Sequence, residues 1–262
     1  MINVTDLSMY LYCPRKFFLE KIKGLRSPPS KQMIEGKIRH EVLEAFSNNE
    51  KDFVLSLEQI NKNKVLANFH NFLFDISSSV LSKNLHLIKS FSINKGEITE
   101  KIINSMKNDI QLRAESIENT MAQGFLRQEL WENLNPKYIS EMPIQSESLG
   151  LRGRIDRLMI LGKTIIPFEL KTREIEKIYD SDEIQLTAYA MLLEEHYNIK
   201  IPIAILEAGN KKHELAITEE NKQKVIDLIK EVNELKNQKT AKFPSNFAKC
   251  QSCFFQKQCE EF

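Results

Sequence analysis

GRIDRLMILGKTIIPFELK, residues 153–171, consists of two apolar runs separated by Gly162. β-Branched and apolar residues dominate 150–161 and 164–172, which predicts two β-strands with a turn between them. A similar run over 138–147 precedes them. We expect the three strands to form an antiparallel meander.

These strands carry two acids and a lysine among apolar residues. Glu169 and Lys171 stand two residues apart and therefore share one strand face, and the meander sets Asp156 beside Glu169. Neighbouring carboxylates form the hard-oxygen site that Mg²⁺ or Mn²⁺ prefers, and such an ion activates water against a phosphate. Lys171 then orients the water or stabilises the transition state. An ordinary cross-strand salt bridge is the alternative interpretation.

Two predicted helices bring further polar side chains to this region. His40 lies on a helix over 31–47, and its imidazole adds a nitrogen ligand that favours Mn²⁺ over Mg²⁺. Gln185 and Tyr189 lie four residues apart on a helix over 182–197 and share one face. A packed histidine, and a packed tyrosine beside a surface glutamine, are the alternative interpretations.

The whole chain of 262 residues predicts an α/β fold with a mixed central sheet flanked by helices. We divide it into N-terminal helices over 1–47, a helical insertion over 48–136, a strand-containing core over 137–240 and a cysteine-containing tail over 241–262. The core also contains predicted strands over 200–208 and 212–217 and a helix over 219–236.

Composition limits the class of protein. Hydrophobic residues make up 42 % and charged residues 28 %, which is typical of a soluble globular protein. The net charge of +1 neither demands nor excludes a nucleic-acid partner. The sequence shows no signal peptide and no apolar run long enough for a bilayer, so we expect a cytoplasmic protein with reduced thiols and no membrane association.

Four cysteines stand at the two ends of the chain, Cys13 alone and Cys250, Cys253 and Cys259 together. In a reducing compartment they indicate metal chemistry before disulfides. Soft thiolates select zinc or an iron–sulfur cluster, and a split of one and three is less typical of zinc sites. A structural zinc site and a set of unrelated buried thiols both stay open as alternatives.

Positive charge is concentrated beside Cys13 and around Asp156. Such residues supply sequence-independent phosphate contacts, although a solvated helix face explains the first group equally well. The two groups are Arg15, Lys16, Lys21, Lys23 and Arg26, and Arg152, Arg154 and Arg157.

The order and spacing of these motifs resemble the RecB-like branch of the PD-(D/E)xK nucleases. The matching motifs are Gly36…His40, Gly153-Arg154-Ile155-Asp156, Glu169-Leu170-Lys171 and Gln185-Leu186-Thr187-Ala188-Tyr189. The resemblance implies that Lys171 is catalytic and that the ion is bound by His40, Asp156, Glu169 and the backbone carbonyl of Leu170. It also implies that Gln185 and Tyr189 support the site and contact DNA.

The cysteines beside such a core resemble those of iron–sulfur nucleases, above all the CRISPR-associated Cas “four” exonuclease family. This implies a [4Fe–4S] cluster on Cys13, Cys250, Cys253 and Cys259. It also implies a single-strand DNA exonuclease that processes spacer DNA ends, with CRISPR integrase proteins as partners. Two alternatives stand beside it, namely a RecB-like recombination or repair nuclease outside CRISPR and a non-cutting DNA-binding module stabilised by zinc.

Overall fold

The computed structural model describes residues 1–57, 62–171, 175–209, 211–243, 247–251 and 253–261. None of the helices in these ranges is both long and apolar enough to cross a membrane. The elements in chain order are β1 (Ile2–Asn3), α1 (Val4–Tyr12), α2 (Pro14–Phe17), a π-helix (Phe18–Ile22), α3 (Lys31–Ser56), α4 (Lys62–Lys83), α5 (Leu85–Ser90), α6 (Lys95–Ala122), α7 (Arg127–Asn133), β2 (Lys137–Ser146), β3 (Leu151–Leu161), β4 (Thr164–Lys171), α8 (Asp180–Tyr197), β5 (Ile203–Ala208), β6 (Lys211–Ala216), α9 (Glu219–Leu235), a 3₁₀-helix (Phe247–Cys250) and α10 (Gln256–Glu261).

The strands form one mixed sheet of six strands, which confirms the predicted fold class. β2, β3 and β4 form the predicted antiparallel meander. β5 lies parallel to β4 after the α8 crossover, and β6 returns antiparallel to β5. β1 pairs in parallel with the start of β3 at Leu151 and Arg152. A strand of two residues has no alternation to detect, so sequence patterns did not predict it.

One face of the sheet is covered by α1, α2, α8 and α9, whose apolar side chains share a core with β3. α8 lies deepest, because every residue from Ile184 to Leu193 is buried. A helix surrounded by protein needs no polar face, which explains its nearly continuous apolar run.

The opposite face is covered by the helices from α3 to α7. Phe46 of α3, Phe69 of α4 and Ile110 of α6 belong to one core with Phe168 and Leu170 of β4. The segment between the first helices and β2 therefore forms a layer on the sheet. The sheet, in turn, lies between two layers of helices.

The predicted end of the third helix at residue 47 is wrong, since α3 continues to Ser56. A polar run from Asn48 to Asp52 interrupts its apolar stripe. In the structure Glu50 is buried within this run and pairs with Arg113 of α6. A partner on a distant helix thus satisfies a charge that the local pattern assigns to solvent.

Candidate functional site

β3 changes partners along one of its edges. β2 pairs with β3 from residue 151 to residue 160, so β1 and β4 must share the opposite edge. On that edge β1 pairs with residues 151–152 of β3, and β4 pairs with residues 157–161 of β3. Residues 153–156 lie between the two, and no strand of the described ranges pairs with them on that edge.

At the end of this gap the Asp156 side chain accepts a backbone hydrogen bond in place of a strand partner. The Leu170 N–H of β4 donates to Asp156 Oδ2 over 2.8 Å. Tyr189 of α8 packs beside this gap, and burial raises the pKa of its hydroxyl, which keeps it neutral. The gap therefore fixes the Asp156 carboxylate in place.

Gly153 allows α8 to approach this gap closely. A Cβ at residue 153 would lie 2.7 Å from Tyr189 Cε1 and 3.1 Å from Val4 Cγ2. Any larger side chain would push Tyr189 away from β3. Gly153 thus has a packing role.

Glu169 and Lys171 face α8, as their spacing predicts. The buried Glu169 carboxylate accepts from Lys171 Nζ over 2.9 Å and from Gln185 Nε2 over 2.6 Å. Lys171 Nζ also lies 3.3 Å from Asp182 Oδ1. Burial favours the neutral amine, but the carboxylates of Glu169 and Asp182 outweigh it and raise the pKa of Lys171. The site therefore holds a charged lysine against an acid.

His40 of α3 reaches the site from the other side. Its Nδ1 lies 3.5 Å from Asp156 Oδ1 and 2.6 Å from Glu141 Oε1 of β2. Burial opposes the charged imidazole, but the Glu141 hydrogen bond and the charge of Asp156 raise the pKa of His40. Among the acids, histidines and cysteines in the described part of the chain, one group of three has ligand atoms that all lie within 4.8 Å of one another. This group consists of His40, Glu141 and Asp156.

Sequence patterns did not single out Glu141, although its position was open to prediction. Ser140 pairs with Arg157 and Met142 with Ile155, so Glu141 stands opposite Asp156 across β2 and β3. Counting back from the short turn between these strands gives the same register.

Asp156 occupies the centre of the acidic group. Burial, and then the charge of Glu169, raise the pKa of Asp156 to about 8. Two buried carboxylates whose charges interact repel each other unless a proton or cation intervenes. The arrangement is thus suited to a divalent ion, with oxygen ligands from carboxylates and one nitrogen from His40.

A family model of the PD-(D/E)XK nuclease superfamily matches residues 1–260. The chain belongs to this superfamily. Members are nucleases that hydrolyse phosphodiester bonds with divalent metals such as Mg²⁺ or Mn²⁺. No curated protein matches the chain. A solved structure titled “Crystal structure of SSO0001” is 14 % identical, with 85 % of this chain and 94 % of that chain covered and a TM-score of 0.32.

The other residues of this PD-(D/E)XK protein that were predicted to contact DNA lie around Asp156 and Glu169. Gln185 and Tyr189 are buried, so in this structure they contact protein groups and support Glu169 and β3. Arg154 lies at the rim with its side chain 53 % exposed. Its Nη2 lies 2.6 Å from Glu44 Oε1 and its Nε lies 3.0 Å from Glu141 Oε2.

Two other arginines of the predicted basic groups are buried and paired with protein groups. Arg157 is 3 % exposed and pairs with Asp109 of α6 and Glu207 of β5. Arg15 is 4 % exposed and donates to carbonyl oxygens of the tail, including that of Cys259 over 2.7 Å. Both guanidinium groups hold elements of the superfamily fold together, and the local sequence gave no sign of their partners.

The four thiols of the protein line one cavity of about 310 Å³ between α2 and the tail. All four are half-buried and free. Burial, and then the charges of Cys13, Cys259 and Cys253, raise the pKa of Cys250. Three thiols of the tail and one of the N-terminal segment thus come together around a common space.

The four sulfur atoms lie farther apart than the thiolate ligands of a zinc ion do. Tetrahedral Zn–S bonds of about 2.3 Å place thiolates roughly 3.8 Å apart. No three of the four sulfur atoms, all in described residues, lie within 4.8 Å of one another. The thiols thus share a cavity but are not drawn together as they would be around a bound zinc ion.

Proposed function

We propose that this superfamily member is a metal-dependent DNA nuclease with an active site formed by His40, Asp156, Glu169 and Lys171. The proposal rests on the edge of β3 at residues 153–156, where neither β1 nor β4 pairs with it. Where β4 leaves β3, Asp156 replaces a strand partner, His40 of α3 approaches it, and the charge of Glu169 on β4 acts on it. An ordinary salt bridge needs no such convergence of acids.

The proposed ion ligands are His40, Asp156, Glu169 and the backbone carbonyl of Leu170. A divalent ion supplies a more acidic water and neutralises charge that develops on the phosphate. The Leu170 N–H keeps one Asp156 oxygen oriented, and Gln185 keeps one Glu169 oxygen oriented. These hydrogen bonds hold the carboxylates in place before the substrate arrives.

Lys171 supplies the positive side chain next to the acids. Its ammonium group is held by Glu169 and Asp182, so it points along the site and stays charged. In the proposed reaction it donates a hydrogen bond to the phosphate or to the attacking water as negative charge develops. Arg154, at the exposed rim, contacts a neighbouring phosphate of the DNA.

The test is cleavage of end-labelled DNA with Mn²⁺ or Mg²⁺. We expect Lys171→Met to lower the rate at least about 100-fold, as for the loss of one transition-state donor. Lys163→Met, which removes an exposed lysine from the turn before β4, is the matched control and should cut as the wild type does. A Lys171→Met variant that cuts at the wild-type rate would contradict the assigned site.

We further propose a substrate with single-stranded ends, cut as an exonuclease cuts, in the processing of spacer DNA during CRISPR adaptation. The cysteine arrangement joined to this core supports the proposal. Linear single strands should be degraded and circular single strands left intact, because a circle offers no end. Degradation of the circle would show an endonuclease. Trimming of overhangs in the presence of CRISPR integrase proteins would separate this role from recombination or repair.

The third proposal is a [4Fe–4S] cluster on Cys13, Cys250, Cys253 and Cys259. The shared cavity, which all four thiols line, supports it. The acids around Asp156 disfavour the alternative of a zinc-stabilised, non-cutting module, which would have no use for them.

A further inference from the structure

Glu141 has a backbone conformation that strand residues rarely adopt. Its φ is +55°, and among described residues it is the one non-glycine strand residue with a positive φ. Such a conformation costs free energy for any residue with a Cβ, and it persists where surrounding contacts hold it. The conformation leaves Glu141 on β2, opposite Asp156.

The side chain of Glu141 is held inside the active site. Its carboxylate is 10 % exposed, and Oε1 lies 2.6 Å from His40 Nδ1. Arg154 Nε lies 3.0 Å from Oε2 and also donates to the Glu141 carbonyl oxygen. Both carboxylate oxygens therefore have a fixed place.

The contacts of His40 show on which side of the imidazole Glu141 lies. Glu141 Oε1 and Asp156 Oδ1 approach the same ring nitrogen, Nδ1. A carboxylate that only orients a metal-binding histidine contacts the ring nitrogen that faces away from the metal. Because Asp156 marks the metal side, Glu141 lies on that side as well.

We propose that Glu141 is a direct ligand of the active-site divalent ion, together with His40 and Asp156. The inference rests on the proposed function and adds a side chain from β2 to the ligands drawn from α3, β3 and β4. A set of carboxylates with one imidazole suits Mn²⁺, which accepts oxygen and nitrogen ligands.

The experiment measures metal binding, so it is independent of cleavage. Mn²⁺ and Co²⁺ affinities are determined by titration calorimetry for the cluster-containing protein and its variants. Glu141→Gln keeps the shape and the hydrogen-bond acceptor but removes the charge, and it should weaken Mn²⁺ binding about tenfold or more. Glu44→Gln is the control, because Glu44 contacts Arg154 from outside the group of three and should change Mn²⁺ affinity less than about twofold.

A second variant separates a ligand from a residue that only orients His40. Glu141→His places an imidazole at the ion, and imidazole favours Co²⁺ over Mn²⁺, so the ratio of Co²⁺ to Mn²⁺ affinity should rise about tenfold. An unchanged ratio, or wild-type Mn²⁺ affinity in Glu141→Gln, would overturn the proposal.

Folding is controlled with Glu141→Asp. Aspartate tolerates a left-handed backbone better than most residues, but its carboxylate is one methylene shorter. This variant should melt as the wild type does without metal and still bind Mn²⁺ about tenfold more weakly. Wild-type affinity here would also count against Glu141 as a ligand. If the wild type itself bound no Mn²⁺, the proposed function would fail instead.

Discussion

Asp156 shows how one side chain serves structure and chemistry together. It accepts the Leu170 N–H where β4 leaves β3, and it lies between Glu169 and His40. Its place beside Glu169 followed from strand alternation and the meander alone. The register of β2 and β3 also places Glu141 opposite Asp156, but one acid in a half-buried strand has no pattern that marks it as part of a site.

We predict that Asp156→Asn removes stabilisation by metal. Mn²⁺ at about 100 times its dissociation constant should raise the melting temperature of the wild type by roughly 5–10 °C, because a ligand stabilises only the state that binds it. The asparagine oxygen still accepts the Leu170 N–H, so the variant should fold. It should melt at or above the wild-type temperature without metal, since the buried charge is gone.

Differential scanning fluorimetry with and without Mn²⁺ measures both effects. Lys163→Met, outside the site, should keep the full metal-induced shift. An equal shift in Asp156→Asn would place the ion elsewhere in the protein.

At the scale of elements, buried ion pairs join the helical layer to the sheet. Asp109 of α6 and Glu207 of β5 both pair with Arg157 of β3. Arg39 of α3 donates to the Lys171 carbonyl over 2.8 Å and lies 3.5 Å from Glu207. The elements that carry His40, Asp156 and Lys171 thus share one polar network beneath the site.

Sequence patterns predicted most strands and helices, because alternation and helical periodicity mark elements with one buried face. They did not predict this network. Arg157 lies next to Asp156 and looks like a phosphate contact, but its partners come from residues far away in sequence. The pairing of distant charges depends on tertiary structure, which also explains the missed extension of α3.

We predict that Asp109→Asn destabilises the fold and reduces its sensitivity to acid. Burial opposes ionisation of Asp109, but Arg157, Lys212 and Arg113 outweigh it and lower the pKa of Asp109. The unfolded state therefore takes up the proton first, and this contribution to stability is lost as pH falls below about 4. At neutral pH the variant should lose about 3–5 kcal/mol, as for other broken buried pairs.

Urea unfolding at pH 7 and at pH 3 measures the change. Asp75→Asn, an exposed acid on α4, is the control and should leave both values near those of the wild type. Equal acid sensitivity in Asp109→Asn and the wild type would show that Asp109 has no part in it.

At the scale of the whole molecule, the N-terminal segment and the tail meet at the four thiols. Arg15 reinforces the junction, with hydrogen bonds to the carbonyl oxygens of Ala241 and Cys259. The spacing of the cysteines predicted a shared site but left zinc and cluster open, because spacing along a chain does not give sulfur–sulfur distances. The structure brings the four thiols to one cavity.

We predict that Cys253→Ser loses iron and melts at a lower temperature. A cross-link that closes nearly the whole chain contributes about 5 kcal/mol in the chain-entropy model, so its loss should lower melting by roughly 10–20 °C. Iron content, visible absorption and melting of anaerobically purified protein provide the measurement. Gln256→Ala changes the same cavity without removing a thiol and should keep its iron. A colourless wild type with one zinc per chain would contradict the cluster.

The proposed chemistry depends most on Asp156 and Glu169 sharing one ion. Anomalous diffraction from crystals grown with Mn²⁺ tests this directly. We predict a manganese peak within about 2.0–2.6 Å of a carboxylate oxygen of each residue and of a nitrogen of His40. Manganese bound only at other positions, with the space between these side chains empty, would contradict the assignment.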